Sequence, residues 1–369
     1  MAVWLSLFYY FYFSIIGVYV IFIPKVLSGY GYSASEIGIL LGAAPLVRFI
    51  LPFLFIKGLN LDTKTFERSL VILVLAALAF YLSVEHFYAL LFSNILLGVG
   101  LSLILPYIEV ISLESIGKER YGKVRLFGSI GFIVVALVLV EVLTTPSVAL
   151  VFLLALTVFT SLLAYIVSKQ EAKVQKQQQK SKELRDFSIV QDLYLWSGLV
   201  LMQISFGSFY NFFTIYETDH GIGLDMTVYL WSFGVFVEVG MLFTQGKLLK
   251  NYHLLNLIRF SVFATVVRWF LVFAYPTSLG VLFFSQALHA LSFALFHSAT
   301  ISYLYQIYHD KKLAQQFFMG LTYGLGGLTG AVISGYIYEY IPKMLFLSSS
   351  LFALAGFVML MLYKHKHEA

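Results

Sequence analysis

Long hydrophobic stretches alternate with short polar breaks along the whole chain. Twelve of them, here called segments 1 to 12, approach or exceed the length of about 20 apolar residues that a membrane-spanning helix needs. They lie at 4–27, 34–56, 68–84, 87–113, 123–142, 147–167, 191–217, 226–247, 254–275, 278–305, 315–340 and 343–363. The pattern predicts an all-α integral membrane protein with little chain left for a soluble domain. Segment 1 follows no basic stretch and has no small-residue cleavage site, so we expect a retained helix and not a signal peptide.

The longest polar stretch, 168–190, is rich in Lys and Gln and divides the segments six and six. We expect residues 1–167 to form one six-helix bundle, 168–190 a cytoplasmic linker, and 191–369 a second bundle with a short cytoplasmic tail. An internal repeat supports this division, because residues 31–49 can be laid over 221–239 without a gap. In that register Arg48 falls on Glu238. Two pseudo-symmetric six-helix bundles are typical of transporters whose substrate site lies between the halves.

Composition and charge support a membrane protein and give its orientation. The chain is 60% hydrophobic and only 12% charged, against about 25% charged residues in a soluble domain. With the N-terminus inside, 20 of the 24 Lys and Arg residues fall in cytoplasmic loops and termini, as the positive-inside rule predicts. We therefore expect a protein of the cell inner membrane with both termini cytoplasmic. Its basic charge should contact anionic lipid and not nucleic acid. We also expect it to be a monomer. The chain has no cysteine, which excludes disulfides and thiol chemistry, and we expect neither a cofactor nor a metal.

Ionisable side chains inside the second half are the first candidates for chemistry. Glu238 lies in segment 8 and Arg268 in segment 9. They form either a structural ion pair or a functional pair in which Glu238 exchanges a proton while Arg268 holds an anion. His289 and His297 lie eight residues apart in segment 10. Each is either a satisfied core histidine or part of a proton pathway, and no close-spaced acidic or His set accompanies them to suggest zinc.

Charges in the first half suggest an anion site and a gate. Arg48 in segment 2 has no acidic neighbour on its own helix or the next, so its partner is Glu109, Glu238 or an anionic substrate. Glu109 and Arg125 flank the short loop between segments 4 and 5. We expect them to form a gate or a hairpin salt bridge, with Glu109 also a candidate for the substrate site.

Neutral polar and aromatic side chains supply further candidates. Gln203, Asn211, Asn94 and Gln286 either line a cavity or hold neighbouring helices together. Tyr19 and Tyr210, in segments 1 and 7, either belong to the interfacial aromatic belt or hold a substrate ring.

Glycines in segments 5 and 11 predict close contacts between helices. Gly128 and Gly131 match Gly324 and Gly327 at an offset of 196. Small residues on one helix face let backbones approach closely, and the same residues serve static packing or sliding during gating.

Four stretches resemble the phenylpropionate permease family of the major facilitator superfamily, near the lactose and nucleoside proton symporters. They are YGKVRLFGSIGF at 121–132, YLWSFGVFVEV at 229–239, VVRWF at 266–270 and QALHALSFALFH at 286–297. The similarity runs from segment 1 to segment 11, although the loop at 57–69 lacks the usual Gly-x-x-x-Asp-Arg-x-Gly-Arg signature. The resemblance implies proton-coupled uptake of a small organic solute such as 3-phenylpropionate. It also implies that Glu238, Arg268 and His289 form the proton-coupling cluster.

Function therefore divides between several classes. We expect a secondary transporter that works by alternating access and takes an aromatic carboxylate with protons. A sugar or nucleoside symporter, or a uniporter or exchanger of the same fold, stays open as an alternative. A receptor that kept the fold without transporting is less favoured, and so is an intramembrane enzyme, because the sequence offers no paired Asp, Ser/His dyad or metal cluster.

Overall fold

The computed structural model describes residues 1–59, 61–170 and 188–363, and its architecture is all-helical. Twelve helices are long and apolar enough to cross a membrane, which confirms the predicted number. They are α1 Ala2–Gly29, α2 Ala34–Ile56, α3 Thr63–Leu82, α4 Phe87–Ile116, α5 Arg120–Val142, α6 Pro146–Lys169, α7 Leu193–Asp219, α8 Leu224–Asn251, α9 Leu254–Ala274, α10 Leu279–Ile307, α11 Leu313–Tyr340 and α12 Pro342–Leu362. Most of the predicted linker and the predicted C-terminal tail lie outside the described residues.

Short turns join consecutive helices within 1–170 and within 188–363, apart from the undescribed residue 60, so that successive helices run in opposite directions. The end at which residue 1 lies is called the near face, and the opposite end is called the far face. Local signals set the helix starts: Ser33 and Glu36 form a reciprocal capping box at α2, and Asp62 caps α3 through the Thr65 amide. Gly31 and Gly221 have φ of 90° and 84° in matching far-face turns, as the repeat register predicts.

Helix contacts show two lobes with the same internal arrangement. In the first lobe α1 packs against α5 and α6, α3 against α4 and α6, and α2 against α4. The second lobe repeats each contact six helices later, with α7 against α11 and α12, α9 against α10 and α12, and α8 against α10. The fold is therefore a parallel repeat of two six-helix bundles, as expected.

The lobes meet mainly through two helix pairs, α2 with α11 and α5 with α8. In the internal repeat, α8 corresponds to α2 and α11 corresponds to α5. The α2–α11 and α5–α8 pairs are therefore the same contact, related by the pseudo-symmetry of the two lobes. The α2–α11 contact extends from Gly38 against Gly335 near the far face to Pro52 against Gly320 near the near face.

Four helices that carry candidate residues are irregular within their spans. A π-helical turn covers Val18–Phe22 in α1, Ala290–Leu295 in α10 and Phe318–Gly326 in α11. In α7 the helix is interrupted at Phe206. Such turns leave backbone groups less regularly bonded and occur often at functional sites. The turns of α1 and α11 contain Tyr19 and Tyr323, and His289 directly precedes the turn of α10.

Candidate functional site

Arg268 lies in α9, fully buried, and binds three polar groups of α10. Its Nη1 donates to His289 Nδ1 at 2.8 Å and to Ser292 Oγ at 3.1 Å. Its Nη2 donates to Gln286 Oε1 at 3.0 Å. A buried guanidinium needs such acceptors because an unsatisfied charge in a hydrocarbon layer costs several kcal/mol. These contacts fix its direction towards α10.

Two aromatic rings also pack against the same guanidinium. Its Cζ atom lies 4.4 Å from the ring centroid of Phe209 in α7 and 4.3 Å from that of Trp269. The indole of Trp269 is held in turn by a hydrogen bond of 3.2 Å to Ser205 Oγ. Arg268 is thus enclosed on every side by protein, and a substrate does not reach it in this conformation.

His289 connects Arg268 to Glu238 and must do so as one tautomer. A guanidinium has only hydrogen-bond donors, so His289 Nδ1 accepts and the ring proton lies on Nε2. That Nε2 is 3.4 Å from Glu238 Oε2 in α8. The direct Arg268–Glu238 ion pair considered from the sequence is replaced by a bridge through the neutral imidazole. The side chains of His289 and Glu238 are 6% and 15% exposed, so the chain of contacts begins in dry packing and ends at a more accessible carboxylate.

His297 occupies the next position along α10. Its Nδ1 lies 2.9 Å from the hydroxyl of Tyr323 in α11, and its ring packs on Phe318. It interacts electrostatically with Glu238 and with Arg125 of the other lobe. His297 therefore shares the electrostatic environment of Glu238 without touching it.

Arg48 projects from α2 of the first lobe towards the same region. It is half-buried, and among the described residues it has neither an ion-pair nor a hydrogen-bond partner. Its charge acts on four tyrosines: Tyr12, Tyr19, Tyr210 and Tyr323. Glu238 also acts on Tyr210 and Tyr323, so the two charges that the repeat aligned lie near the same two tyrosines.

The neutral candidates are engaged in contacts with their own or neighbouring helices. Tyr19 and Asn94 hydrogen-bond each other, and Asn94 Nδ2 also donates to Leu40 O at 2.6 Å, which ties α1, α2 and α4 together. Asn211 Nδ2 donates to Gly207 O of its own helix. Gln203, in α7, packs against Gly326 of α11.

Glu109 and Arg125 lie together close to the near face. Arg125 Nε is 4.0 Å from Glu109 Oε1, and Tyr121 donates to the same oxygen at 3.1 Å. The guanidinium also lies 3.8 Å from the ring centroid of Phe13 in α1. This is the hairpin salt bridge considered from the sequence, and it engages Glu109 away from Arg48.

The four glycines pack closely against neighbouring helices in two different settings, Gly131 and Gly324 against backbone atoms and Gly128 and Gly327 against side chains. A Cβ on Gly128 or Gly131 would meet Phe13 or Tyr10 of α1, inside the first lobe. A Cβ on Gly324 or Gly327 would meet Phe49 or Pro45 of α2, across the lobe interface. The offset of 196 therefore matches glycines whose contacts are not equivalent. The close approach inside the second lobe is made by another glycine, Gly330 against Gly207.

Sequence reasoning missed several residues of this region. Ser292 and Tyr323 are hydrogen-bonded to the candidate residues, and Phe209 and Trp269 enclose Arg268. The only available signal was the alternation of polar residues in α10, where Gln286, His289 and Ser292 recur every third position. In a helix that spacing places side chains on one face.

Comparisons with known proteins agree with this architecture. The sequence matches the MFS_1 like family over residues 2–348. It is 27% identical to the "Probable 3-phenylpropionic acid transporter" of Escherichia coli (strain K12) over 362 residues, 95% of each protein. It is also 27% identical to the "Uncharacterized transporter YwbF" of Bacillus subtilis (strain 168) over 282 residues, 72% of this chain and 68% of the relative.

Solved structures share the fold at low sequence identity. The crystal structure of the nucleoside transporter NupG has a TM-score of 0.77 at 16% identity and covers 99% of both chains. An inward-facing bacterial homologue of the human lysosomal transporter Spinster has a TM-score of 0.69 at 13% identity, covering 98% of this chain and 95% of its own. The chain therefore belongs to the MFS_1 like family and is a multi-pass membrane transporter of the major facilitator kind, not an enzyme.

Proposed function

We propose that this transporter carries an aromatic carboxylate together with protons by alternating access. Residues 1–167 and 191–369 would be the moving units, joined by a linker at 168–190. The near face would be cytoplasmic and the membrane the cell inner membrane, because the basic residues concentrate at that face. The monomer would suffice, since the space between the lobes is built from one chain.

The observation that carries the proposal is the fixed tautomer of His289. With Nε2–H directed at Glu238, the imidazole supports the carboxylate form of Glu238 by a hydrogen bond. A second proton on the imidazole would have to reside on Nδ1 and face the guanidinium of Arg268, which is unfavourable. The proton would therefore be taken up by Glu238, while His289 and Arg268 act as positioning residues. His297 and Tyr323 would form a branch of the same proton pathway.

Arg48 is the proposed ligand of the substrate carboxylate. It is the guanidinium of this region without a protein partner among the described residues, and its planar fork matches a carboxylate. The tyrosines around it, with Phe206 packed on Tyr210 at 5.4 Å, offer faces for an aromatic ring. The E. coli relative named for 3-phenylpropionic acid supports the same class of cargo.

Coupling between substrate and proton follows from the position of Arg48 and Glu238 near the same tyrosines. A substrate anion at Arg48 and an ionised Glu238 would repel each other in a medium of low dielectric constant. Substrate binding therefore favours the protonated form of Glu238, and by linkage protonation favours substrate binding to the same extent. The loaded carrier then moves with one proton for each anion.

A nucleoside or sugar is the second candidate cargo. The NupG structure shares this fold over nearly the whole chain, and Gln203 and Asn211 lie on α7, the helix that also carries Tyr210. A neutral cargo would leave Arg48 without a counter-charge, which is why the carboxylate is preferred. A thermal-shift screen of aromatic acids, sugars and nucleosides identifies the probe for the transport test below.

Glu238→Gln tests the coupling directly. In proteoliposomes with an acidic exterior, the wild type should accumulate 3-phenylpropionate and alkalinise the medium. The Gln variant should lose both activities, because a neutral amide carries no proton, yet retain counterflow exchange of labelled substrate. Glu114→Gln, at an exposed carboxylate of α4, is the matched control and should behave as the wild type.

Two outcomes would contradict the proposal. Unchanged uphill accumulation by Glu238→Gln would remove Glu238 as the coupling group. Arg48→Gln that binds 3-phenylpropionate as tightly as the wild type would remove Arg48 as its ligand. The expected loss for Arg48→Gln is about tenfold to a hundredfold in affinity, because a charge-assisted hydrogen bond contributes about 1.5–3 kcal/mol.

A further inference from the structure

A second buried carboxyl group, Glu217, lies outside the cluster described above. Its side chain is fully buried near the far-face end of α7. Neither Oε1 nor Oε2 has a hydrogen-bond donor among the described residues. Both oxygens of an ionised carboxylate in that setting would be desolvated without compensation, which proteins avoid by protonating the group.

Glu217 lies on the same helix face as Tyr210, nearer to the far face. It follows Tyr210 by seven residues in the continuous helix Gly207–Asp219, so the two side chains share one face. The rise of that helix places Glu217 about 10 Å from Tyr210 along the axis, towards the far face. Along α7, Glu217 therefore lies between the far-face end of the helix and Tyr210, on which the charges of Arg48 and Glu238 act.

The elements packed against this part of α7 offer no cation to Glu217. They are the far-face ends of α1, α2, α8, α11 and α12. Their charged groups, with those of α7 itself, are Lys25, Glu36, Asp219, His220, Asp225, Glu339 and Lys343, and Tyr216 and Tyr338 are the phenols that interact with Glu217. Of the two lysines, Lys25 lies 3.5 Å from Asp219, and Lys343 is exposed at the start of α12. Desolvation of Glu217 is thus opposed by no neighbouring positive charge.

Contacts between the lobes cover this position on the far-face side. Lys25 of α1 reaches Asp219 of α7, and Glu339 Oε2 of α11 accepts from the Ser35 amide of α2 at 2.8 Å. Asp219 is also held within its own lobe by the Tyr338 hydroxyl, which donates to it at 2.7 Å. When the lobes separate at this face, the Lys25–Asp219 and Ser35–Glu339 contacts break and water reaches the carboxyl group below them.

We propose that Glu217 is a second proton-binding site, protonated while the far face is closed and ionised once that face opens. The proton leaves the carboxyl oxygen for far-face water on opening and returns to it on closing. Glu217 thereby makes the equilibrium between the two states depend on the pH at the far face. The inference rests on the proposed alternation between faces, but it needs neither the cargo nor the coupling role of Glu238.

Infrared spectroscopy tests the protonation state. The C=O stretching band of a neutral carboxylic acid should be present in the wild type at neutral pH in the closed state. It should lose intensity in Glu217→Gln and keep it in Glu85→Gln, which removes an exposed far-face carboxylate. The same comparison in a Glu238→Gln background separates the two buried groups. Equal acid bands with and without Glu217 would show an ionised carboxylate and would overturn the site.

Distance measurements test the link to opening. The chain has no cysteine, so Thr144→Cys and Thr277→Cys place two spin labels on far-face turns of opposite lobes. If opening releases one proton, the ratio of open to closed molecules should rise up to about tenfold per pH unit across the titration range. Glu217→Gln should remove that one-proton component of the slope and favour the closed state, and Glu85→Gln should retain it.

A second variant at the same position avoids the hydrogen-bonding amide that Glu217→Gln introduces. Glu217→Met is apolar and of similar length, so it should also suppress the one-proton slope and favour the closed state. An undiminished slope in both variants would overturn the link to the gate even if the infrared band had been lost. Since this measurement uses no substrate, its result stands apart from the accumulation assay for Glu238.

Discussion

The guanidinium of Arg268 determines the chemistry of its neighbours because it can only donate hydrogen bonds. It forces His289 to accept at Nδ1 and thereby to direct Nε2–H at Glu238. At the scale of residues the central question is whether that imidazole carries a proton or only holds two charged groups in place. The geometry favours the second role.

Glutamine at position 289 distinguishes the two roles. Its carbonyl oxygen can accept from Arg268 and its amide can donate to Glu238, but it does not titrate. We expect His289→Gln to keep proton-driven accumulation within about tenfold of the wild type. His289→Ala should be destabilised by about 1–3 kcal/mol, because one buried donor of Arg268 loses its acceptor. Uptake and thermal unfolding of both variants check this, and complete loss of accumulation with intact folding in the Gln variant would make His289 a proton carrier.

The sequence identified most of the charged residues of the site but not how they connect. A buried charge in a bilayer is expensive, so Arg48, Glu238 and Arg268 stood out from hydropathy alone. Their partners depend on side-chain direction across helices, which a periodic pattern does not contain. Glu217 was overlooked because it falls at the predicted end of a segment, where an acidic residue is ordinarily solvated.

At the scale of elements, hydropathy predicted the helices well for a physical reason. A spanning segment must satisfy its backbone internally, so length and apolarity nearly determine its structure. The π-helical turns and the interruption of α7 were not predicted, since they depend on packing between helices and not on local composition. Those irregular turns contain Tyr19, Ser292 and Tyr323, and His289 directly precedes the turn of α10.

The close approach of α2 and α11 depends on glycine at position 324. A Cβ there would lie 2.5 Å from the backbone nitrogen of Phe49, a contact that rigid backbone cannot relieve without moving a helix. We expect Gly324→Ala to lower the free energy of unfolding by about 1–3 kcal/mol, the usual cost of overpacking. The measurement is the thermal unfolding midpoint in detergent, together with the rate of counterflow exchange.

Gly246→Ala is the matched control, because its Cβ would meet nothing within 4 Å. Alanine replaces glycine in a helix at a gain of about 0.5–1 kcal/mol, so this variant should be equal to or more stable than the wild type. Equal effects at both positions would show that the α2–α11 contact does not limit stability.

At the scale of the molecule, the two lobes are joined by one contact made twice, α2–α11 and α5–α8. A pair of bundles with this symmetry can rotate about the two contacts while each bundle keeps its internal packing. The two-lobed arrangement was predictable from the internal repeat and from the polar stretch at 168–190. Which glycines lie inside a lobe and which lie between lobes was not, because both positions require the same small residue.

Cross-linking across the lobes tests that motion. Ser35→Cys with Glu339→Cys joins α2 to α11 at the far face, where the wild-type residues are in contact. A short thiol cross-linker should abolish counterflow exchange, and reduction of a cleavable version should restore it. Glu67→Cys with Lys169→Cys replaces an ion pair of 2.7 Å inside the first lobe and serves as the control. Its cross-link should leave exchange intact, and exchange that survives the first cross-link would exclude rocking of the lobes.

The ion pair that bridges α1 and α7 at the far face is bathed in solvent, with Lys25 and Asp219 40% and 50% exposed. Pairs of this kind contribute only about 0–1 kcal/mol. Thermal fluctuation therefore suffices to break the Lys25–Asp219 ion pair. The pair gives the carrier no intrinsic preference for import over export. The net direction of flux would then be set by the concentration gradients. A reversed gradient would reverse net transport, so that the same carrier would export the substrate it normally imports.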